Sequence, residues 1–385
     1  LLLAGGNHPL NVFPLPLFHN HNAVNLDCGW STKHRDPVSG ELQVNATRFP
    51  HGMKWLGDQL HAMGLKFGMY GAMGYHQCCS GSADPTADDG SGPGCNKVKD
   101  KPTCRNTSYY ELDATLWASW GVDLVKFDGC GGTFANVQPM RDALVKTKRP
   151  MLYSIHGNVV QGEMEVDLAN MWRVGADIGP SYEQSLDRAM ISNTVNKYLT
   201  AAKGGWNDPD MLQVGNLGKP GQQGPPSLFP DAEGRTQFAL WCIIKAPLLI
   251  GTALVTMTDA TLATLTNAAA IAVNQDALGE QAVLRKDGGW VPNQPRPTTN
   301  AAYGFQIWSG ALSNNGAAAL LANLDGNASR AITFEQADLP ASRTATAKWD
   351  IVEAFTGSKV SGVVLPHTVT VPPHDVAMWV MSASA

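Results

Sequence analysis

The sequence predicts a parallel (β/α)8 barrel, the TIM-barrel architecture, followed by a C-terminal antiparallel β-sandwich. Three observations predict it. Short apolar runs alternate with segments of helical period from about residue 23 to residue 276. Several of those runs end in an acid, at the strand end where such a barrel carries its chemistry. After Gln275-Asp276 the helical period stops, and short strands separated by turn residues take over. The 385 residues hold a barrel of about 250 residues and a smaller domain besides.

In chain order, residues 1–22 carry Pro9, Pro14 and Pro16 and show neither period. Ala23-Val-Asn-Leu-Asp-Cys28 reads as a strand ending in an acid. Pro50–Met63 reads as a helix with Met53, Leu56 and Leu60 on one stripe, stopped by Gly64. Leu65–Tyr70 is the next strand. Residues 78–106, rich in Gly, Ser, Asp and Pro, read as a long inserted loop. A helix over 108–120 leads into Gly121-Val-Asp-Leu-Val-Lys-Phe-Asp-Gly-Cys130. This near-continuous apolar run, closed by Asp128-Gly129, is the pattern of a strand covered on both faces. Lys126 lies two residues before Asp128, on the same face, and could hold it ionised.

A helix over 137–146, a strand over 151–155, a strand ending at Asp177 and a helix over 182–201 follow. Gly204–Met211 is a turn-rich strand end, 237–246 an apolar helix, 247–251 a short buried strand and 259–273 the last helix. That makes seven barrel strands. Strands at 302–308, 317–324, 331–334, 346–352 and 369–371 build the sandwich. The chain thus divides into an irregular segment 1–22, a barrel over 23–280 and a sandwich over 281–385.

Charged residues make up 16% of the chain, below the usual share of about a quarter, and hydrophobic residues 44%, which suits a large buried core. The net charge of -5 leaves no footprint for nucleic acid or an acidic membrane surface. No apolar run is long enough to span a bilayer. The seven cysteines include Cys95 and Cys104, which could close a small loop. With sequons at Asn45, Asn106 and Asn327 they point to a secretory compartment, secreted or vacuolar/lysosomal. No pair of CxxC motifs supports a zinc site.

Asp27, Asp128, Asp177 and Asp210 each end a strand or follow one closely. Convergent acids at a barrel mouth either bind a metal or do acid/base and nucleophilic work on a polyol. Asp208-Pro-Asp210 could be a DxD metal motif, but no phosphate-binding loop accompanies it. For Asp128 alone, the plain alternative is an aspartate capping the next helix.

Asn25-Leu-Asp-Cys-Gly-Trp30, Arg48-Phe-Pro-His-Gly52, Gly64-Leu-Lys-Phe-Gly-Met-Tyr70, Val125-Lys-Phe-Asp-Gly-Cys130, Trp172-Arg-Val-Gly-Ala-Asp177, Gly205-Trp-Asn-Asp-Pro-Asp-Met-Leu212 and Val273-Asn-Gln-Asp276, in this order, resemble glycoside hydrolase family 27. This is the melibiase-like family of α-galactosidases and α-N-acetylgalactosaminidases. The resemblance runs from about residue 23 to the C-terminus. It implies a retaining exo-glycosidase that removes terminal α-linked galactose from oligosaccharides, glycolipids or glycoproteins. Asp128 matches the nucleophile and Asp177 the acid/base. Asp27, Tyr70, Lys126, Arg173, Asp210 and Met211 match residues that hold the sugar or the carboxylates. Cys130 matches a cysteine bridged to the loop after the Tyr70 strand, most naturally Cys78, with the adjacent Cys79 an alternative. The resemblance implies no cofactor and no metal, a glycan partner with terminal α-galactose, and room for a homodimer.

Three departures stand against it. Asp27-Cys28 replaces an Asp-Asp pair, which puts Cys28 where a sugar hydroxyl is recognised. His156, in Ser154-Ile-His-Gly-Asn158, stands where galactosidases of the family carry Glu or Cys. It is either a satisfied buried histidine or a contact to the 2-hydroxyl. Its size favours galactose over the N-acetylated sugar. The family's first strand, with a tryptophan that lines the sugar site, has no counterpart in residues 1–22, so the chain is expected to be less stable and less active than one carrying it. The rival readings are a β-L-arabinopyranosidase, an α-N-acetylgalactosaminidase, and a non-catalytic sugar-binding homologue. A lectin would need neither Asp128 nor Asp177.

Overall fold

The computed structural model describes residues 22–32, 35–73, 109–129, 134–156, 168–195, 204–216, 229–287 and 304–384. Six strands, β1 (Ala23–Asn25), β2 (Lys66–Ala72), β3 (Leu124–Asp128), β4 (Leu152–Ile155), β5 (Met171–Arg173) and β6 (Trp206–Asp208), pair in parallel and in sequence order. The sheet continues past β6, where Leu212 forms a parallel bridge with Ile250. The predicted strand over 247–251 is therefore reduced to that bridge and two flanking hydrogen bonds, Leu212 N–H to Leu249 O and Gly251 N–H to Leu212 O. Together with its helices this sheet is TIM-barrel-like. Residues 1–21, and with them the expectation about a first strand, lie outside the described residues.

Parallel pairing buries both faces of these strands, and their composition answers it. Phe67, Met69, Tyr70, Val125, Phe127 and Tyr153 are all fully enclosed. The helices α1 (Gly52–Ala62), α2 (Tyr110–Ser119), α3 (Val137–Lys146), α4 (Tyr182–Thr194) and α5 (Asp231–Ile243) form in the segments between strands or just after the last of them. Helix α1 buries Met53, Gly57 and Leu60. Gly57 is required there, because a Cβ would sit 2.5 Å from the Trp120 carbonyl oxygen. Gly64, at φ +77°, ends the segment in a conformation that other residues rarely adopt. Ser181 caps α4 by accepting the Gln184 N–H.

The predicted last barrel helix is in fact two, α6 (Asp259–Leu265) and α7 (Ala268–Asn274). The Asn267 side chain accepts the Ala270 N–H and starts the second, a cap that competes with continuation through this point.

The C-terminal part holds a six-stranded antiparallel sheet and a two-stranded one. The six are β7 (Val283–Asp287), β8 (Phe305–Ala311), β9 (Ala317–Asn323), β11 (Trp349–Glu353), β12 (Lys359–Val363) and β14 (Val376–Ala383), and the pair is β10 (Arg330–Phe334) with β13 (His367–Val371). Strands β7, β12 and β14 were not expected. β12 is short and mostly exposed, so it carries little alternation. The large sheet is apolar on both faces. Ala317, Ala319 and Leu321 of β9 face the sandwich core with Trp349 and Trp379. Ala318, Leu320 and Ala322 belong instead to the cluster that holds Phe238, Leu240 and Trp241 of α5. The period of two in β9 thus serves two cores at once. Arg235 of α5 forms a bidentate pair with Asp375 at 3.0 and 2.7 Å, tying barrel to sandwich.

Candidate active site

The strand register brings the sequence-predicted residues to one end of the sheet. Tyr70 pairs with Lys126, Lys126 with Ser154, and Arg173 with Asp208, so the carboxyl ends of β2 to β6 lie side by side. Asp27 follows β1, His156 follows β4, and Asp177 and Asp210 follow β5 and β6. This is the end at which a barrel exposes its loops and its chemistry.

Two clusters form there. In the first, Asp128 is buried at 8% exposure. Its Oδ1 accepts the Gly129 N–H at 2.8 Å and lies 2.9 Å from His156 Nδ1. Its Oδ2 lies 3.8 Å from Lys126 Nζ. Burial alone would push this carboxyl up. The bond from His156, the charge of Lys126 and the Gly129 N–H outweigh it and bring the pKa down from 3.8 to about 2. Asp128 is thus held as an anion. Lys126, expected to help hold Asp128 ionised, does contribute, although its nearer partner is Asp27, at 2.8 Å. Burial acts to lower the Lys126 pKa, and the pair with Asp27 together with the field of Asp128 raises it overall. Lys126 also stands 5.3 Å from the centre of the Tyr70 ring, within cation–π range. Tyr70 is fully buried.

In the second cluster, Arg173 is buried and its Nη2 reaches three acceptors: Asp210 Oδ2 at 2.7 Å, Asp177 Oδ1 at 3.2 Å and Gly175 O at 3.3 Å. The Asp177 side chain is 84% exposed. One carboxylate is therefore enclosed and charged, and the other is open to an incoming ligand and to water. Lys126 and Arg173 feel each other's charge, which sets the two clusters within electrostatic range of one another.

Asp210 has φ +85°, a left-handed conformation that a non-glycine residue holds only when its surroundings fix it. Here they do. Its N–H donates to Asp208 Oδ1 at 2.8 Å, its carbonyl accepts Trp241 Nε1–H at 2.7 Å, and its carboxylate accepts Arg173, the Ile178 N–H and the Met211 N–H. Asp208 was considered as half of a metal motif. It is instead a buried brace for Asp210, with its pKa raised by burial against the pull of Arg173. The oxygens of Asp210 are already taken by a guanidinium and two N–H groups, which is the coordination of an ion pair. Met211 is partly exposed beside it.

Cys28 is disulfide-bonded, while Cys242 is buried and free. A disulfide sulfur has no proton to donate, so the Cys28 side chain beside Asp27 is no hydrogen-bond donor. The bridge expected between Cys78 and Cys130 lies outside the described residues.

Residues 19–89 and 94–276 match the family model described as alpha galactosidase A, and residues 302–381 match that of the alpha galactosidase C-terminal beta sandwich domain. The chain belongs to glycoside hydrolase family 27, the melibiase family. It is 32% identical over 366 residues to an alpha-galactosidase of Cyamopsis tetragonoloba, covering 93% of this chain and 76% of that one. It is 32% identical over 375 residues to a probable alpha-galactosidase D of Aspergillus niger, covering 91% of this chain. The chain spans about half the length of that Aspergillus protein, 49%, and about three quarters of the Cyamopsis one. The crystal structure of alpha-galactosidase I from Mortierella vinacea superposes with a TM-score of 0.74 at 25% identity, over 94% of this chain and 88% of that one.

Asp128, Asp177, Lys126 and Arg173, the residues that the resemblance assigns to the nucleophile, the acid/base and their basic neighbours, all lie at this end of the sheet. Sequence reasoning missed three supports: the Gly129 N–H, the Trp241 indole and the brace from Asp208. The DxD spacing drew attention to Asp208 for a different reason. Nothing local marks Trp241, which meets Asp210 from 31 residues away.

Proposed function

We propose that this chain is a retaining exo-glycosidase that hydrolyses terminal α-linked galactose. The observation that carries the proposal is the contrast between Asp128, buried and held ionised, and Asp177, exposed and paired with Arg173, at the same end of the sheet. A retaining glycosidase needs a carboxylate nucleophile and a second carboxyl group that can exchange protons with the leaving group and with water. In this reading an oxygen of Asp128 attacks the anomeric carbon while Asp177 protonates the departing oxygen. A water then gives its proton to Asp177 and attacks the same carbon, and the bond to Asp128 breaks with its electron pair returning to the carboxylate. Asp27, Lys126 and Met211 meet the sugar, while the enclosed Tyr70 and Asp210, which the resemblance also places at the sugar, act by holding Lys126 and Arg173 in position. The sequons and loop cysteines support a secretory location. Among the described residues, no helix is long and apolar enough to cross a membrane.

One observation favours a second specificity. Cys28 stands where the resemblance expects the second carboxylate of an Asp-Asp pair, and its disulfide leaves no thiol proton to recognise a hydroxyl in its place, which suits a pentopyranose, since arabinopyranose is galactose without C6. Initial rates on nitrophenyl α-galactoside, β-L-arabinopyranoside and α-N-acetylgalactosaminide separate these readings. The α-galactoside is expected to be turned over fastest. Turnover of none of the three would refute the glycosidase assignment.

A further inference from the structure

His156 is one of the departures from the family pattern at this site, and its Nδ1 lies 2.9 Å from Asp128 Oδ1. Its backbone N–H donates to Phe127 O at 3.1 Å, which continues the pairing of β3 with β4 one residue past the strands. That bond fixes the imidazole relative to the strand that carries Asp128. Both side chains are largely enclosed, at 14% and 11% exposure. The two oxygens of Asp128 are consequently unequal. Oδ1 is engaged by two N–H donors, His156 and Gly129. Among the described residues, Oδ2 has only Lys126 Nζ nearby, at 3.8 Å, beyond hydrogen-bond distance, and that ammonium bonds to Asp27. Among the described residues, the charged group that faces this pair is Lys126, which is itself paired with Asp27 and repelled by Arg173.

We propose that His156 is a positioning residue that makes Oδ2 the attacking oxygen of Asp128 and speeds the later release of the sugar from it. The proposal rests on the retaining glycosidase reading. A hydrogen bond to a carboxylate is strongest when the carboxylate bears its full charge. The donor at Oδ1 therefore stabilises Asp128 in the free enzyme. It stabilises the partly charged oxygens of both transition states less, and the neutral ester least. In the first step the Oδ2 lone pair forms the bond to the anomeric carbon, and the aglycone leaves with its electron pair and the proton from Asp177. In the second step that carbon–Oδ2 bond breaks and the pair returns to the carboxylate. Charge reappears on Asp128 only in the second step, so the His156 bond lowers that barrier and slightly raises the first.

The test uses the full chain, a nitrophenyl α-galactoside, and two substitutions. His156→Ala removes the donor, whereas His156→Asn keeps an N–H near the position of Nδ1. For His156→Ala we expect kcat to fall by about tenfold to a hundredfold, the scale of one hydrogen bond to a charged group. KM is expected to fall with it, leaving kcat/KM nearly unchanged. Nitrophenol should appear in a burst approaching one equivalent per chain, and intact-protein mass should show an added hexosyl group. His156→Asn is expected to restore most of kcat and suppress the burst. Thermal melts of both variants establish that they are folded. An equal loss in kcat and kcat/KM without a burst would overturn the proposal. So would an Asn variant that is folded but no better than Ala. An active wild type with either of those results refutes this inference alone. A wild type inactive on every glycoside tested refutes the glycosidase reading and this inference with it.

Discussion

Arg173→Met is expected to cost both stability and activity, and the structure sets the size of the effect. Arg173 is buried and is the only cation that bonds to Asp210 among the described residues. Methionine keeps the apolar bulk and deletes the charge. The Asp210 carboxylate then stays enclosed, with only the Ile178 and Met211 N–H groups to hold it. Removing one partner of a buried pair typically costs about 3–5 kcal/mol, because the other charge is left uncompensated. An unfolding entropy of about 2.1 cal/mol/K per residue over 385 residues makes each kcal/mol worth roughly 1.2 °C, so the melting temperature should drop by about 4–6 °C. The Asp177 carboxylate loses its only basic contact among the described residues in the same step, so kcat/KM should fall as well. The assay is a thermal melt and a chemical denaturation of the single variants and of Arg173→Met combined with Asp210→Asn. The double variant leaves no unpaired carboxylate at position 210 and should recover more than half of the lost stability. A single-variant cost below about 1 kcal/mol, or a double variant equal to the sum of the singles, would refute the reasoning.

Asp113→Ala should destabilise the fold by about 3 kcal/mol, since Asp113 is fully buried and grips Arg35 through two bonds of 2.6 and 2.7 Å; adding Arg35→Met should recover part of that loss in the same melt. Because Asp128 titrates near pH 2, below the usual 3.8, it should stay ionised until the pH falls well under 4. The depressed pKa means that its stabilising contacts are complete above pH 3.8 and are lost as the pH falls through about 2. The acidic limb of kcat/KM should accordingly lie below pH 3.8, and a wild-type limb at pH 5 would contradict the arrangement around Oδ1. Dialysis against EDTA should leave turnover unchanged, and a loss restored by a divalent ion would reopen the metal reading of Asp208 and Asp210.

The fold was legible wherever one period ran long enough to declare itself. The apolar runs ending at Asp27 and Asp128, and the helices between them, follow from local pattern because parallel strands need two covered faces. The break at Asn267 was not legible, since a single capping asparagine interrupts an otherwise continuous apolar stripe. Strand β14 was missed although it is almost wholly apolar. The apolar run that gives it a central place in the sheet is also what a buried helix would show. At the site, Asp128, Asp177, Lys126 and Arg173 could be read because they cluster in short motifs around strand ends. The partners that tune them could not. His156 meets Asp128 from 28 residues away and Asp27 meets Lys126 from 99, distances that only the sheet register closes. Lys126 looked like the partner of Asp128 because it is its neighbour on the same face, yet a third residue with better geometry claims it.

The most direct measurement is turnover of nitrophenyl α-galactoside by Asp128→Asn beside the wild type. Asparagine keeps the shape, and its carbonyl oxygen still accepts from His156 and Gly129, so the site should remain assembled and the melting temperature close to that of the wild type. What it lacks is the ionised oxygen that attacks. The account predicts a loss in kcat of about 10⁴-fold or more, with the protein still folded. A folded Asp128→Asn variant that retains kcat within about tenfold of the wild type would contradict it, because a step worth that little cannot be the nucleophilic one.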